Sequence, residues 1–277
     1  MENILDLMAQ DLDLAGYSPH TRRAYLAAVG KLLESASVSE LTPARLRAWA
    51  RETAARDTSA GRVRQQYAAV RFLFRRTLGR PEAVAFLSRR AGPRRLPVVL
   101  STGEVMRLLG ALRSPVFRTM FLTMYATGLR LSEACALKME DVDVERGVIR
   151  VTGAKGGHER LVTLGARLAG VLRDYACVVR PAPPWLFASR RGRPVHAEVA
   201  RRALARAAQD AGIPKRVTPH VLRHTFATHS LEQGTELPVI QQLLGHKSPR
   251  STARYVHVSC STVAAARTPI DDATFAL

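Results

Sequence analysis

Between residues 148 and 164 the chain reads VIRVTGAKGGHERLVTL, two short β-favouring runs around a glycine-rich centre. Val148 to Thr152 and Arg160 to Leu164 alternate apolar with polar residues and are rich in valine, isoleucine and threonine. The intervening Gly153-Ala-Lys155-Gly-Gly157 supplies the turn. This spacing predicts a β-hairpin with a lysine at its tip, and strand signals are confined to this place. Elsewhere apolar residues recur at helical spacing. The fold class that follows is mainly α with a small antiparallel β-sheet, α+β.

Upstream of the hairpin, Ser101-Thr-Gly-Glu104 is a capping box that opens a helix, and Ser114-Pro115 starts a longer one ending near Gly128. Before these, residues 89–100 begin with RRAGPRRLP and form a basic linker. Residues 1–88 predict an N-terminal helical bundle: one helix from Ser18-Pro19 to about Leu33, another from Thr42-Pro43 to about Ala55, a third from about Ser59 to Leu78, and a short fourth after Pro81. Residues 101–277 make up the second, mixed domain. Downstream of the hairpin the helical pattern resumes, and from Thr218 onward nearly every helix start carries a Thr-Pro or Ser-Pro signal. Trp185-Leu-Phe187 and the pair Met120 and Met124 read as core.

A chain of 277 residues, 47% apolar, has enough material for two cores. Lys and Arg outnumber Asp and Glu by 42 to 23, leaving a formal charge of +19. The excess is shared, with 17 basic against 9 acidic residues up to position 95 and 25 against 14 beyond it. Both halves therefore point to a polyanion, and nucleic acid fits better than a surface kept basic for solubility. In the helical half, Arg62, Arg64, Arg71, Arg75 and Arg76 interleave with the apolar stripe, and Arg94 and Arg95 lie in the linker. These arginines are candidate phosphate contacts, although any one of them reads equally as part of a solvated helix face. Cys135, Cys177 and Cys260 are odd in number and widely spaced, which suggests neither a disulfide framework nor a zinc site. No apolar run approaches the ~20 residues that span a bilayer. A soluble protein of the reducing cytoplasm is expected, with no membrane partner.

The chemistry gathers in the last two thirds. Thr218-Pro219 opens a helix that presents His220, Arg223 and His224 on one face, and Leu244-Gly245-His246 ends another. Tyr255 stands nine residues after His246, and Arg130 follows the glycine break at Gly128. Such a set suits phosphoryl transfer without a metal, because arginine forks can bear the charge that grows on a phosphodiester's non-bridging oxygens. His220 and His246 add hydrogen bonds. A phenol with a pKa of about 10 needs a base or neighbouring positive charge to become a nucleophile. Lys155 on the hairpin tip is placed to protonate the departing 5′ oxygen. A zinc site built on His220 and His224 is disfavoured, since the acid of an HExxH motif is missing and Arg223 stands between them. No metal ligands and no cofactor are expected.

The segments TGLRLSE (127–133), GAKGGHERLVTL (153–164), HVLRHTFATH (220–229), LLGH (243–246) and STARYVHV (251–258) resemble, in order and spacing, the motifs of the tyrosine recombinase or phage integrase family, its Xer-like members above all. SPHTRRAY (18–25) resembles the start of that family's helical core-binding domain, so the likeness runs through nearly the whole chain. The resemblance implies a site-specific DNA recombinase working through a 3′-phosphotyrosyl intermediate without ATP. It makes Arg130 and Arg223 the phosphate-clamping arginines, Lys155 the hairpin lysine, His220 and His246 the active-site histidines and Tyr255 the nucleophile. Glu133 matches the acid that supports the first arginine, with an ordinary surface ion pair as the alternative, and His224 is a neighbour of the site. The two domains are expected to close as a C-shaped clamp on double-stranded DNA. A homo-tetramer on two recombination sites is expected, acting at the bacterial nucleoid.

With 17 residues ahead of Ser18 no arm-binding domain is expected, and residues 185–218 are expected to be too short for the insertion of integron integrases. Ser259 to Arg267 are helix-compatible before Pro269 and form the candidate tail for a neighbouring subunit. Two other readings use the same fold: a DNA-binding accessory or regulatory protein without turnover, and a type IB topoisomerase. The intact set of catalytic residue types favours recombination over the first, and exchange of DNA partners distinguishes it from the second.

Overall fold

The computed structural model describes residues 3–56, 59–87, 97–152 and 159–245. The chain divides into two units, 1–94 and 95–277.

In the first unit, α1 (Ile4–Leu14) is capped by Asn3 and α2 (Pro19–Leu33) by Ser18, whose hydroxyl accepts the Thr21 amide at 3.3 Å. α3 (Pro43–Arg56) and α4 (Ala60–Phe72) follow, and the Tyr67 hydroxyl pins one to the other by donating to the Ala50 carbonyl at 2.6 Å. Where the sequence predicts one helix from Ser59 to Leu78, the chain leaves α geometry at Leu73 and makes a π-helical turn through Thr77. That wider turn buries Leu73 and Phe74 while Arg75 and Arg76 stay in solvent. The short fourth helix is a 3-10 turn, Pro81–Val84. Met8, Leu12, Val29, Leu32, Leu46, Val70 and Phe74 fill the core. α1 carries no Pro-based start signal and is an addition to the helices read from sequence.

The second unit opens on α5 (Thr102–Ala111), whose capping box is present: Ser101 accepts the Glu104 amide at 3.2 Å, and the Glu104 carboxylate accepts the Ser101 amide at 2.7 Å. α6 (Pro115–Thr127) runs through the centre with Met120, Phe121 and Met124 fully buried. After the short α7 (Leu131–Cys135) come three antiparallel strands in the order β1 (Val142–Asp143), β2 (Val148–Val151) and β3 (Arg160–Thr163). The hairpin pairs Val148 with Thr163 and Val151 with Arg160. β1 is a third strand that the sequence does not announce, two residues long and held by Ile149 and Val148 opposite it. Ile149, Val151 and Val162 face the core, and Arg150, Leu161 and Thr163 face out. α8 (Ala166–Val179), α9 (Ala197–Asp210), α10 (Pro219–Glu232) and α11 (Leu237–Leu244) complete the unit. α11 begins on Glu236 with Pro238 in its first turn, not on a Thr-Pro or Ser-Pro pair. Among the described residues no helix is long and apolar enough to cross a membrane.

Candidate active site

The site is built where α6, α10 and α11 converge. α6 ends on Gly128 with φ +67°, a left-handed conformation that glycine adopts without strain. Space demands glycine there as well: a Cβ would stand 2.5 Å from Phe226 Cδ1 on α10 and 2.9 Å from Leu244 Cδ2 on α11. The turn delivers Arg130 to the residue before α7, where the Glu133 carboxylate accepts both its amide at 2.8 Å and its guanidinium at 2.6 Å.

On α10, Thr218 caps the helix by accepting the Val221 amide at 3.3 Å, and its first turn carries His220. One turn later Arg223 is buried, donating to the Gly128 carbonyl at 2.6 Å and to the Leu244 carbonyl. Arg160 turns inward from β3 and donates through Nε to the Leu243 carbonyl at 2.7 Å. Arg130 Nη2 reaches the Gly245 carbonyl at 3.3 Å. Three successive carbonyls at the end of α11, those of Leu243, Leu244 and Gly245, are thus each taken by a different arginine. A helix leaves its last carbonyls without partners of its own, and here cations fill the vacancy at the negative end of the helix dipole.

Glu133 ties the arginines together. Its carboxylate accepts Arg160 through both Nη atoms, at 2.9 and 2.7 Å, and lies 4.0 Å from Arg223. Burial opposes its charge, but hydrogen bonds from Arg160 and from the Arg130 amide outweigh that and hold the carboxyl at about 2. The surface ion pair considered for Glu133 is excluded, because the residue is only 5% exposed. Three guanidiniums around one carboxylate leave a net positive charge. Arg130, the most open of the three with its side chain 33% exposed, faces a cavity of about 520 Å³ that Arg201, Arg216 and His220 also line. His220 is open to solvent on one side of this cavity, and partial burial of its ring, with the charges of Arg223, Arg130 and Arg201 nearby, lowers its pKa below the ordinary value. Such a groove can take a phosphodiester, with charge-assisted donors already aimed.

Of the residues read from sequence, Arg130, Glu133 and Arg223 form one network and His220 lines the adjoining groove. His224 is half-buried one residue beyond Arg223. His229, away from the network, bonds the Tyr125 hydroxyl at 2.9 Å. Lys155, His246, Tyr255, Arg94, Arg95 and the candidate tail lie outside the described residues. In the first unit Arg62, Arg64 and Arg75 are exposed, whereas Arg71 is partly buried and donates to the Leu87 carbonyl at 2.6 Å. Reading the sequence does not single out Arg160, Arg201 or Arg216. For Arg160 a signal existed, since it shares strand parity with Val162 and Leu164.

A cluster of arginines gathered on one carboxylate, with Arg130, Arg201 and Arg216 lining an open groove, suits the binding of a phosphodiester backbone. Residues 99–261 match the phage integrase family, and residues 4–83 match its N-terminal SAM-like domain. The chain is 37% identical over 254 residues to tyrosine recombinase XerA of Thermococcus kodakarensis, spanning 90% of this chain and 88% of that protein. It is 35% identical to tyrosine recombinase XerC of Mycobacterium sp. (strain JLS), over 96% of this chain and 97% of the relative. Among solved structures, a lambda integrase tetramer bound to a Holliday junction shares the fold, with a TM-score of 0.75 at 20% identity over 89% of this chain and 77% of that one. The chain belongs to the phage integrase family and is a tyrosine-type site-specific DNA recombinase.

Proposed function

We propose that Tyr255 attacks a DNA phosphodiester held by Arg130 and Arg223, forming a 3′-phosphotyrosyl bond and releasing a 5′ hydroxyl. The phenol oxygen forms the new P–O bond as the bond to the 5′ oxygen breaks. Lys155 gives its proton to that leaving oxygen, and the phenol's proton passes to His220 or to solvent. His246 hydrogen-bonds the phosphate. A 5′ hydroxyl from a partner strand then reverses the step, so the bond energy stays in the ester and neither ATP nor a divalent cation is required. The observation that carries this reading is the Arg130–Glu133–Arg223 network, which opens to the groove through Arg130. Loss of one such preorganised donor typically costs about 10²–10³ in rate.

In this reading residues 1–88 form a DNA-binding domain joined by the basic linker 89–100 to the catalytic domain 101–277. Arg201 and Arg216 extend the groove toward the neighbouring phosphate. Four copies act on two DNA sites in the cytoplasm; the tetrameric lambda integrase of the same fold supports that assembly. The test is Tyr255→Phe on a nicked suicide substrate. The wild-type chain should accumulate a covalent protein–DNA adduct and the variant none, with DNA affinity retained. An adduct formed by the variant assigns the nucleophile elsewhere.

A further inference from the structure

We infer that Arg160 is a positioning residue for strand cleavage: it fixes the end of α11 and the Glu133 carboxylate against the two phosphate-directed arginines. The inference rests on the proposed reading of Arg130 and Arg223 as phosphate donors and adds a residue which that reading does not use. Arg160 touches no part of the groove. Its side chain is 8% exposed, and each of its three nitrogens already donates within the protein, Nε to the Leu243 carbonyl at 2.7 Å and the two Nη atoms to Glu133 at 2.9 and 2.7 Å. The guanidinium is therefore a bracket with one arm on α11 and two on the carboxylate that holds Arg130.

Gly245 marks how closely the bracket fits. It caps α11 with φ +59°, and a Cβ there would stand 3.1 Å from Arg160 Cδ and 3.3 Å from Nε. Only a planar fork binds a carboxylate through two parallel bonds while a third donor points away to a carbonyl; an ammonium group cannot. Backbone pairing of Arg160 with Val151 holds β3 in place whatever side chain it carries. Removing the guanidinium thus releases the end of α11 and leaves the hairpin strands paired.

The experiment is single-turnover cleavage by Arg160→Met and Arg160→Lys in the full chain, on ordinary DNA and on DNA with sulfur in place of the 5′ leaving oxygen. Arg160→Met should keep its DNA affinity within about twofold and lose about 100-fold in cleavage rate, as an ångström-scale misplacement implies. The loss should be equal on both substrates, because the leaving-group proton is not what is missing. Arg160→Lys, which keeps a cation beside Glu133 and so protects folding, should remain at least about tenfold slow for want of the fork. Leu172→Ala, a core truncation on α8, should keep its cleavage rate at a comparable loss of Tm. Recovery on the sulfur substrate, a wild-type rate in Arg160→Lys, or equal slowing in Leu172→Ala would each overturn the inference. Failure of the wild-type chain to form an adduct through Tyr255 would instead overturn the reading beneath it.

Discussion

Replacing Gly128 by alanine tests whether the close approach of three helices builds the site. The new methyl would lie 2.5 and 2.6 Å from two Phe226 ring carbons and 2.9 Å from Leu244 Cδ2, on a backbone at φ +67°. The left-handed conformation alone costs about 1–2 kcal/mol for a residue with a Cβ. Forcing a methyl into a packed interior adds about 1–3 kcal/mol. Together these predict a loss of about 2–5 kcal/mol. Gly212 is the control: its φ is +63° and a methyl added there would meet nothing within 4 Å, so Gly212→Ala should show the backbone cost only. Urea denaturation of both variants, with Trp185 fluorescence read in a Trp49→Phe background, measures the difference. Cleavage should fall further than stability in Gly128→Ala, because Phe226 and Leu244 cannot yield without moving the Gly128 and Leu244 carbonyls that Arg223 holds. Equal destabilisation of the two variants, or a wild-type cleavage rate in Gly128→Ala, would refute the reasoning.

Glu133 should make stability depend on pH. Its folded pKa of about 2 lies below the ordinary 4.5, so its contribution is complete above pH 4.5 and fades as pH falls toward 2. The difference corresponds to roughly 3 kcal/mol. The urea midpoints of wild type and Glu133→Gln should therefore stand apart at pH 7, draw together below pH 4.5 and nearly meet only by about pH 2; a constant gap counts against the carboxylate as the hub. For the hairpin lysine, Lys155→Ala should lose cleavage of ordinary DNA and recover on the 5′-sulfur substrate, the opposite of Arg160→Met. No recovery removes Lys155 from the role of general acid.

Local signals made most of the fold legible. Ser18, Ser101 and Thr218 announce helix starts because their hydroxyls satisfy free amides next to them in sequence. The hairpin was readable from alternation over a few residues. β1 was not, since two residues are too few to show a period. The π turn at Leu73 was also invisible, because a helix and a widened helix share the same apolar stripe. The candidate site was half legible. Residue type and spacing brought forward Arg130, Arg223 and Glu133, but burial decided what Glu133 does. Arg160 was hidden by an inversion of polarity, as β3 points its arginine inward and leaves Leu161 55% exposed. Alternation tells which residues share a face; partners 27 and 83 positions away decide which face is inside.

The arginine brackets at the end of α11 join segments far apart in the chain: Arg130 and Gly245 are separated by 115 residues, and Arg160 and Leu243 by 83. Closures of that length carry a large loop entropy that must be met before the contacts repay it. A polypeptide still leaving the ribosome, with α11 inside the exit tunnel, carries its arginines as scattered charges that can stick to DNA but cannot grip one phosphate. The arginine network is therefore completed only once α11 has been made and has folded against the rest of its unit.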